Sequence, residues 1–236
     1  MTFSIIAGDP RTGQLGIAVS TANLAVGAVG YQARAGVGLI ATQADPHPIL
    51  GFKGLRLLAE EIEPETVLDI LLKSDAGRAR RQIHLIDSQG KTAGYTGDCV
   101  DWAGHQPYSG FSVAGNMLVG EETVTAMAAT YQSHMQAPLP ERLMLALEAG
   151  QAAGGDKRGR QSAALYVVST ELYADIDLRV DDHADPIAEL RRLYQESQKP
   201  YYVAFRQIMP TQANPAGIYD PKLIDEIAAQ LAKQKH

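Results

Sequence analysis

The chain has 236 residues, with 21 basic and 27 acidic side chains for a formal charge of −6, one cysteine, and 45% apolar and 20% charged residues. That length suits one large domain better than two small ones, and at this size folding buries roughly 70% of the unfolded chain's surface, so a core forms without covalent staples. The acidic balance argues against nucleic acid and anionic membranes as partners, the apolar content argues against disorder, and Cys99, having no intrachain partner, points to a reducing cytosol.

Met1-Thr2-Phe3-Ser4-Ile5-Ile6 has no basic region and no sustained apolar stretch, so it does not read as a signal peptide. No run approaches the roughly 20 apolar residues of a membrane-spanning helix, and the expectation is a soluble cytoplasmic protein. Aromatics make up only 6% of the chain, whereas Ala and Gly are abundant, which lets sheets and helices approach closely.

In chain order, Thr2–Gly8 and Leu15–Ser20 read as strands joined by the turn residues Asp9–Gly13. Val26–Gln32 is a candidate short strand and Gly36–Gln43 another, with continuous apolar runs that fit strands covered on both faces. The period then lengthens. Pro48–Ile62 and Glu65–Ser74, the latter after Pro64, have leucines at helical spacing. Gln82–Ser88, Thr92–Thr96 and Phe111–Leu118 return to strand character, Glu121–Gln136 and Pro140–Ala153 read as helices, and Gln161–Thr170 with Ala174–Val180 forms a hairpin-like pair. Asp185-Pro186 opens a helix to about Gln198. Strands, helix pair, strands, helix pair and strands predict an α+β fold, a four-layer αββα sandwich of two mainly antiparallel sheets between helix layers. Residues 1–199 form the domain, and residues 200–236, with Pro200, Pro210, Pro215 and Pro221, read as an extended arm ending in a short helix.

Thr2 opens a strand directly after the initiator methionine, which is usually trimmed before small residues. Trimming leaves a free α-amine beside a hydroxyl, and an α-amine with a reference pKa of about 7.7–8.0 can act as general base for its own side chain. The alternative is a threonine that merely begins a strand.

The phrases TFSIIAGDPRTGQLGIAVST, ARAGVGLIATQA, DWAGH, GNML, EAGQAAGGDKRGRQSAALYVV and LRVDDHADPIAELRRL together resemble a bacterial family, the domain of unknown function 1028, over about residues 2–198. The resemblance implies an N-terminal-nucleophile (Ntn) hydrolase-like fold and a hydrolase whose reaction is undefined. On that reading Thr2 is the nucleophile, its own amine is the base, and an amide is cut. Asn116, or backbone N–H groups in Gly115–Asn116 or Gly159–Ser162, would then supply the oxyanion donor. Arg34 occupies about the region where relatives with a known mechanism place a supporting base.

Gly154–Ser162 is the most polar, glycine-dense loop, and its Lys157, Arg158 and Arg160 could cradle a substrate carboxylate or simply be solvated charges after a helix. Arg160, Gln161 and Ser162 join Gln43 and His47 as expected substrate-binding residues. Asp45 and His47 read either as an acid–base pair or as a turn. The cluster Asp175, Asp177, Asp181, Asp182, His183 and Asp185 has ligands for a hard cation, or alternatively caps a helix and pairs Asp181 with Arg179 or Arg191. The Trp102–His105 phrase lines a pocket or packs its tryptophan, and Cys99 reads as an inert buried thiol. The resulting expectation is an amidohydrolase acting on a small anionic amide, as a homo-oligomer with no metal or cofactor. The alternatives are a binding or assembly module that reuses the fold, and a metal-assisted hydrolase built on Asp181–Asp185.

Overall fold

A computed structural model describes residues 2–218 and 220–233. The elements follow in order as β1 (Thr2–Asp9), β2 (Gln14–Thr21), β3 (Tyr31–Arg34), β4 (Gly38–Ala44), α1 (Pro48–Ala59), α2 (Pro64–Lys73), β5 (Arg81–Asp87) and β6 (Thr92–Thr96). They continue as β7 (Gly104–Tyr108), β8 (Phe111–Asn116), α3 (Glu122–Ser133), α4 (Leu139–Ala152), β9 (Ser162–Val168), β10 (Ile176–Val180), α5 (Pro186–Ser197), α6 (Pro200–Ile208) and α7 (Pro221–Lys233).

A six-stranded sheet has the order β10-β9-β2-β1-β8-β7, and a four-stranded sheet the order β3-β4-β5-β6, with every pairing antiparallel. β1 explains why. All its residues but Gly8 are buried, so it needs cover on both faces. Phe3 and Ile5 face the helices α3 and α4, while Thr2, Ser4 and Ile6 face the smaller sheet. On the far side, Ile40, Ile83 and Leu85 turn outward onto Leu50, Leu55, Val67 and Leu71 of α1 and α2. The four layers α3/α4, large sheet, small sheet and α1/α2 form the sandwich that the element order predicts.

The scarcity of aromatics has a structural counterpart. A Cβ on Gly54 of α1 would lie 2.3 Å from Ile40 Cδ1, and one on Gly150 of α4 would lie 2.7 Å from Met127 Cγ. Glycine at these points lets helix meet sheet and helix meet helix.

The structure departs from the sequence reading in three places and decides between its alternatives in a fourth. Val26–Ala28 is a 3₁₀ turn, entered through Ala25 at φ 53°, and the strand begins only at Tyr31. β7 is an edge strand without an alternating apolar pattern, where Pro107 removes no ladder hydrogen bond that the fold needs. Of the two readings of the Trp102–His105 phrase, the structure takes pocket lining over packing: Trp102 is 62% exposed, has a φ of 41° and lines a small pocket with Ala103, Gly104 and His105. Residues 200–208 are helical, with Pro200 in the first turn, where an extended arm was expected.

The chain divides into two compact units, one up to Leu190 and one from Arg191. The first holds the sandwich. In the second, α6 and α7 pack together, Ile218 N–H donates to Ile208 O at 2.9 Å, and Tyr201, Tyr202 and Phe205 are exposed. Among the described residues no helix is long and apolar enough to cross a membrane.

Candidate functional site

Thr2 is the first residue of a central strand, paired directly with Thr21 on β2 and with Asn116 on β8. All three side chains fall on the face that looks across to the smaller sheet. Thr2 is 8% exposed, and its Oγ1 donates to Thr21 Oγ1 at 3.3 Å. No lysine or histidine among the described residues is bonded to it.

Behind Thr2 lies a buried polar network that joins the two sheets. Its hydrogen-bond directions follow from two groups that can only accept, the carbonyls of Gly104 and Gly115. Gln82 Nε2 donates to Gly115 O at 2.8 Å, to Gly104 O at 3.2 Å and to Thr96 Oγ1 at 2.9 Å, so Gln82 Oε1 is the acceptor on its other side. That oxygen takes Gln43 Nε2 at 2.7 Å and Asn116 Nδ2 at 3.0 Å. Gln43 Oε1 therefore remains for Ser4, whose hydroxyl donates to it at 2.9 Å. Ser4 Oγ in turn accepts from His84 Nε2 at 2.9 Å, and Ser112 Oγ donates to His84 Nδ1 at 3.2 Å. His84 is thus neutral with its proton on Nε2. Burial pushes its pKa down to about 3, with His105 adding to the shift. Burial also lowers the pKa of His105, whose Nδ1 shares a hydrogen bond of 2.9 Å with the Thr96 hydroxyl. One acceptor in this region has no partner among the described residues, Asn116 Oδ1.

A cleft of about 290 Å³ opens beside this constellation, lined by Asn116, Met117, Asn23 and Cys99 together with Asp45, Arg80, Asp101 and Arg158. Arg80 Nε pairs with Asp45 Oδ2 at 2.9 Å. Cys99 is exposed here, contrary to the buried thiol expected.

Of the residues singled out from the sequence, the fold brings Thr2, Asn116 and Gln43 together, but Gln43 is a buried tie between sheets and not a surface for substrate. Asn116 directs an amide N–H at Gln82. Arg34 is exposed and pairs with Gly38, about 17 Å along β4 from Gln43 at strand spacing. It cannot support Thr2. His47 lies at the start of α1, and Asp45 is bound to Arg80 rather than to His47.

The glycine-dense loop is no open cradle either, since each of its cations has a carboxylate. Lys157 holds Asp101 at 2.6 Å, Arg158 holds Asp156 at 3.4 Å and Arg160 holds Asp185 at 3.0 Å. Gln161 Nε2 donates to Asp182 Oδ1, and Ser162 Oγ joins Asn23 O to Val26 N–H, so both are committed to holding the loop. Asp181 is gripped by Arg179. Among the described residues no group of three His, Cys, Asp or Glu side chains is placed to hold an ion.

Sequence reasoning missed Ser4, Thr21, Gln82 and His84. The signal was present in part: β4 and β5 are apolar runs broken at alternate positions by Gln43, Gln82 and His84, which places these three on one face.

A larger cavity, about 410 Å³, lies at the opposite end of β1, where three hairpin turns meet α3. Its wall includes Asp9, whose buried carboxylate is held by Arg11 at 2.8 Å and by the fully buried Arg142. The hydrogen bonds from Arg11 hold Asp9 below the usual carboxylate range against the opposing effect of burial. Among the described residues no histidine or lysine lines it to serve as a base for its hydroxyls, so the cleft beside Thr2 is the better candidate.

Fold and site define an α+β sandwich protein with a hydroxyl and an amide facing each other at the head of a central strand. The chain belongs to the family of unknown function DUF1028, whose model matches residues 2–190. It is similar to protein SPO2555 from Silicibacter pomeroyi, a member of the same family known from a crystal structure, with 31% identity and a TM-score of 0.86 over 93% of this chain and 99% of that one. Anbu, the ancestral beta-subunit from Yersinia bercovieri, matches at 12% identity and a TM-score of 0.38, over 89% of this chain and 98% of that one. No curated protein matches the chain.

Proposed function

We propose that the protein is an amidohydrolase whose nucleophile is the Thr2 hydroxyl, acting once Thr2 is freed as the first residue. The carrying observation is the placement of Thr2 at the head of β1, between Thr21 and Asn116 and beside a cleft, with no side-chain base bonded to it among the described residues. A hydroxyl in that setting needs a base, and its own α-amine is the group within reach.

The amine removes the Oγ1 proton as Oγ1 attacks the amide carbon. The tetrahedral intermediate collapses, returning that proton to the leaving nitrogen. Water, deprotonated by the same amine, then attacks the Thr2 ester and releases the acid. Arg80 and Arg158 line the cleft beside carboxylates of their own, and a substrate carboxylate would reach them by displacing Asp45 or Asp156.

Two measurements test this. Mass spectrometry of the natively expressed chain is expected to show Thr2 as the first residue, and a chain that wholly retains its preceding residue sinks the mechanism. In a screen of small acidic amides, Thr2→Ala is expected to lower kcat by roughly 10⁴-fold or more. Unchanged turnover in that variant assigns the reaction elsewhere.

A further inference from the structure

The amide of Asn116 has two ends, and the network assigns them different work. One N–H of its nitrogen is committed, because Gln82 presents only an oxygen on that side. Its oxygen is buried, has no partner among the described residues, and belongs to the residue directly across the ladder from Thr2. A buried acceptor left unpaired costs about 1–3 kcal/mol, so it calls for a donor. The orientation is also over-determined. Turning the amide over would set Asn116 Oδ1 against Gln82 Oε1, and turning Gln82 as well would set its oxygen against two carbonyls.

We propose that Asn116 serves Thr2 through its carbonyl oxygen, accepting an N–H from the α-amine of the freed threonine. This rests on the Thr2 reading above and assigns the partner of the catalytic amine. An N–H held on Oδ1 fixes the rotation of the amine about its Cα bond and so settles where its lone pair lies relative to Oγ1. The chain from Ser112 through His84, Ser4, Gln43 and Gln82 to Asn116 then has a purpose, which is to hold that oxygen in place.

Other charges near Thr2 are neutral or compensated. His84 and His105 lie within the network with lowered pKa values, Asp45 is paired with Arg80, Asp101 with Lys157, and Asp156 with Arg158. Cys99 is the remaining titratable group at the cleft. The amine's pKa therefore reports chiefly on its own hydrogen-bond partner.

The test uses the full chain released by a protease that cuts immediately before Thr2, so that native processing does not enter. The pKa of the α-amine is read by NMR of chains carrying ¹⁵N-threonine. Asn116→Asp keeps an acceptor and adds charge, and is expected to raise the pKa by roughly one unit or more. Asn116→Leu removes the acceptor and is expected to lower it by roughly half a unit. Gln82→Leu, which releases the Asn116 amide without touching Thr2, is expected to shift it in the same direction as Asn116→Leu. Values that agree across all four chains, or that follow the reverse order, overturn the assignment. A native chain that never exposes Thr2 counts instead against the function, a result that the titration does not share.

Discussion

The interface between the two sheets has an apolar half and a polar half. On the side of β2, β9 and β3, Leu15, Ile17, Val19, Tyr31, Leu39 and Ala164 close a continuous apolar layer. On the side of β8, β5 and β6, the same two sheets are joined through Ser4, Gln43, Gln82, His84, Ser112 and Asn116, all buried. Each large apolar side chain on the first side contributes about 1.5–3 kcal/mol by leaving water. A satisfied hydrogen bond on the second adds only about 1 kcal/mol net, and an orphaned acceptor subtracts from that. The polar half is the poorer way to hold two sheets together. Its position behind Thr2 accounts for it, since hydrogen bonds fix direction where apolar contacts do not.

That contrast can be broken from either side. Ile17→Ala cuts into the apolar half, and a loss of roughly 2–5 kcal/mol is expected in denaturant unfolding. A loss under 1 kcal/mol would mean that this half does not carry the interface.

The polar half is expected to respond to pH where the apolar half does not. His84 is neutral in the folded chain down to about pH 3 but titrates near 6.5 when unfolded, so the unfolded state binds the extra proton. Its contribution is complete above pH 6.5 and is lost as pH falls toward 3, at about 1.4 kcal/mol per pH unit. His105, also lowered, adds loss of the same sign, and the lowered carboxyl of Asp9 adds loss only below its ordinary value of 3.8. Between pH 6.5 and 4.5, His84→Gln is therefore expected to flatten the slope, and an unaltered slope would assign it to His105.

Charges outside both halves are expected to matter least. Arg34→Ala and Arg160→Ala remove exposed or rim cations, and stability is expected to change by no more than about 0.5 kcal/mol with turnover unaffected. A large loss of turnover in Arg160→Ala would return the glycine-dense loop to the site.

Most of the layer order was legible in the sequence because it rests on local periodicity. β1 with β2, α1, α2, α4 and the β9–β10 pair all appear within a few residues of where spacing and turn chemistry place them. β7 did not, because an edge strand of sequence GHQPY is held by its neighbour's ladder and has no pattern of its own. The 3₁₀ turn at Val26–Ala28 was hidden for a related reason: Ser162, more than a hundred residues away, caps it.

The site divides in the same way. Thr2 stood out from its position and Asn116 from its phrase, each through a property of the local chain. Their meeting depends on β8 returning to pair with β1, and the exclusion of Arg34 depends on the register of β3 against β4. The sequence by itself determined most of the strands and helices, that the first strands are covered on both faces, and that a hydroxyl stands at the head of the first one. Only the tertiary structure decided that glutamines and a histidine from the second sheet lie behind that hydroxyl, that the loop cations are already paired, and which end of the Asn116 amide is unclaimed. Apart from the local Arg158–Asp156 pair, those facts arise from contacts between residues tens of positions apart, and they depend on register and on the direction of hydrogen bonds, neither of which local spacing encodes.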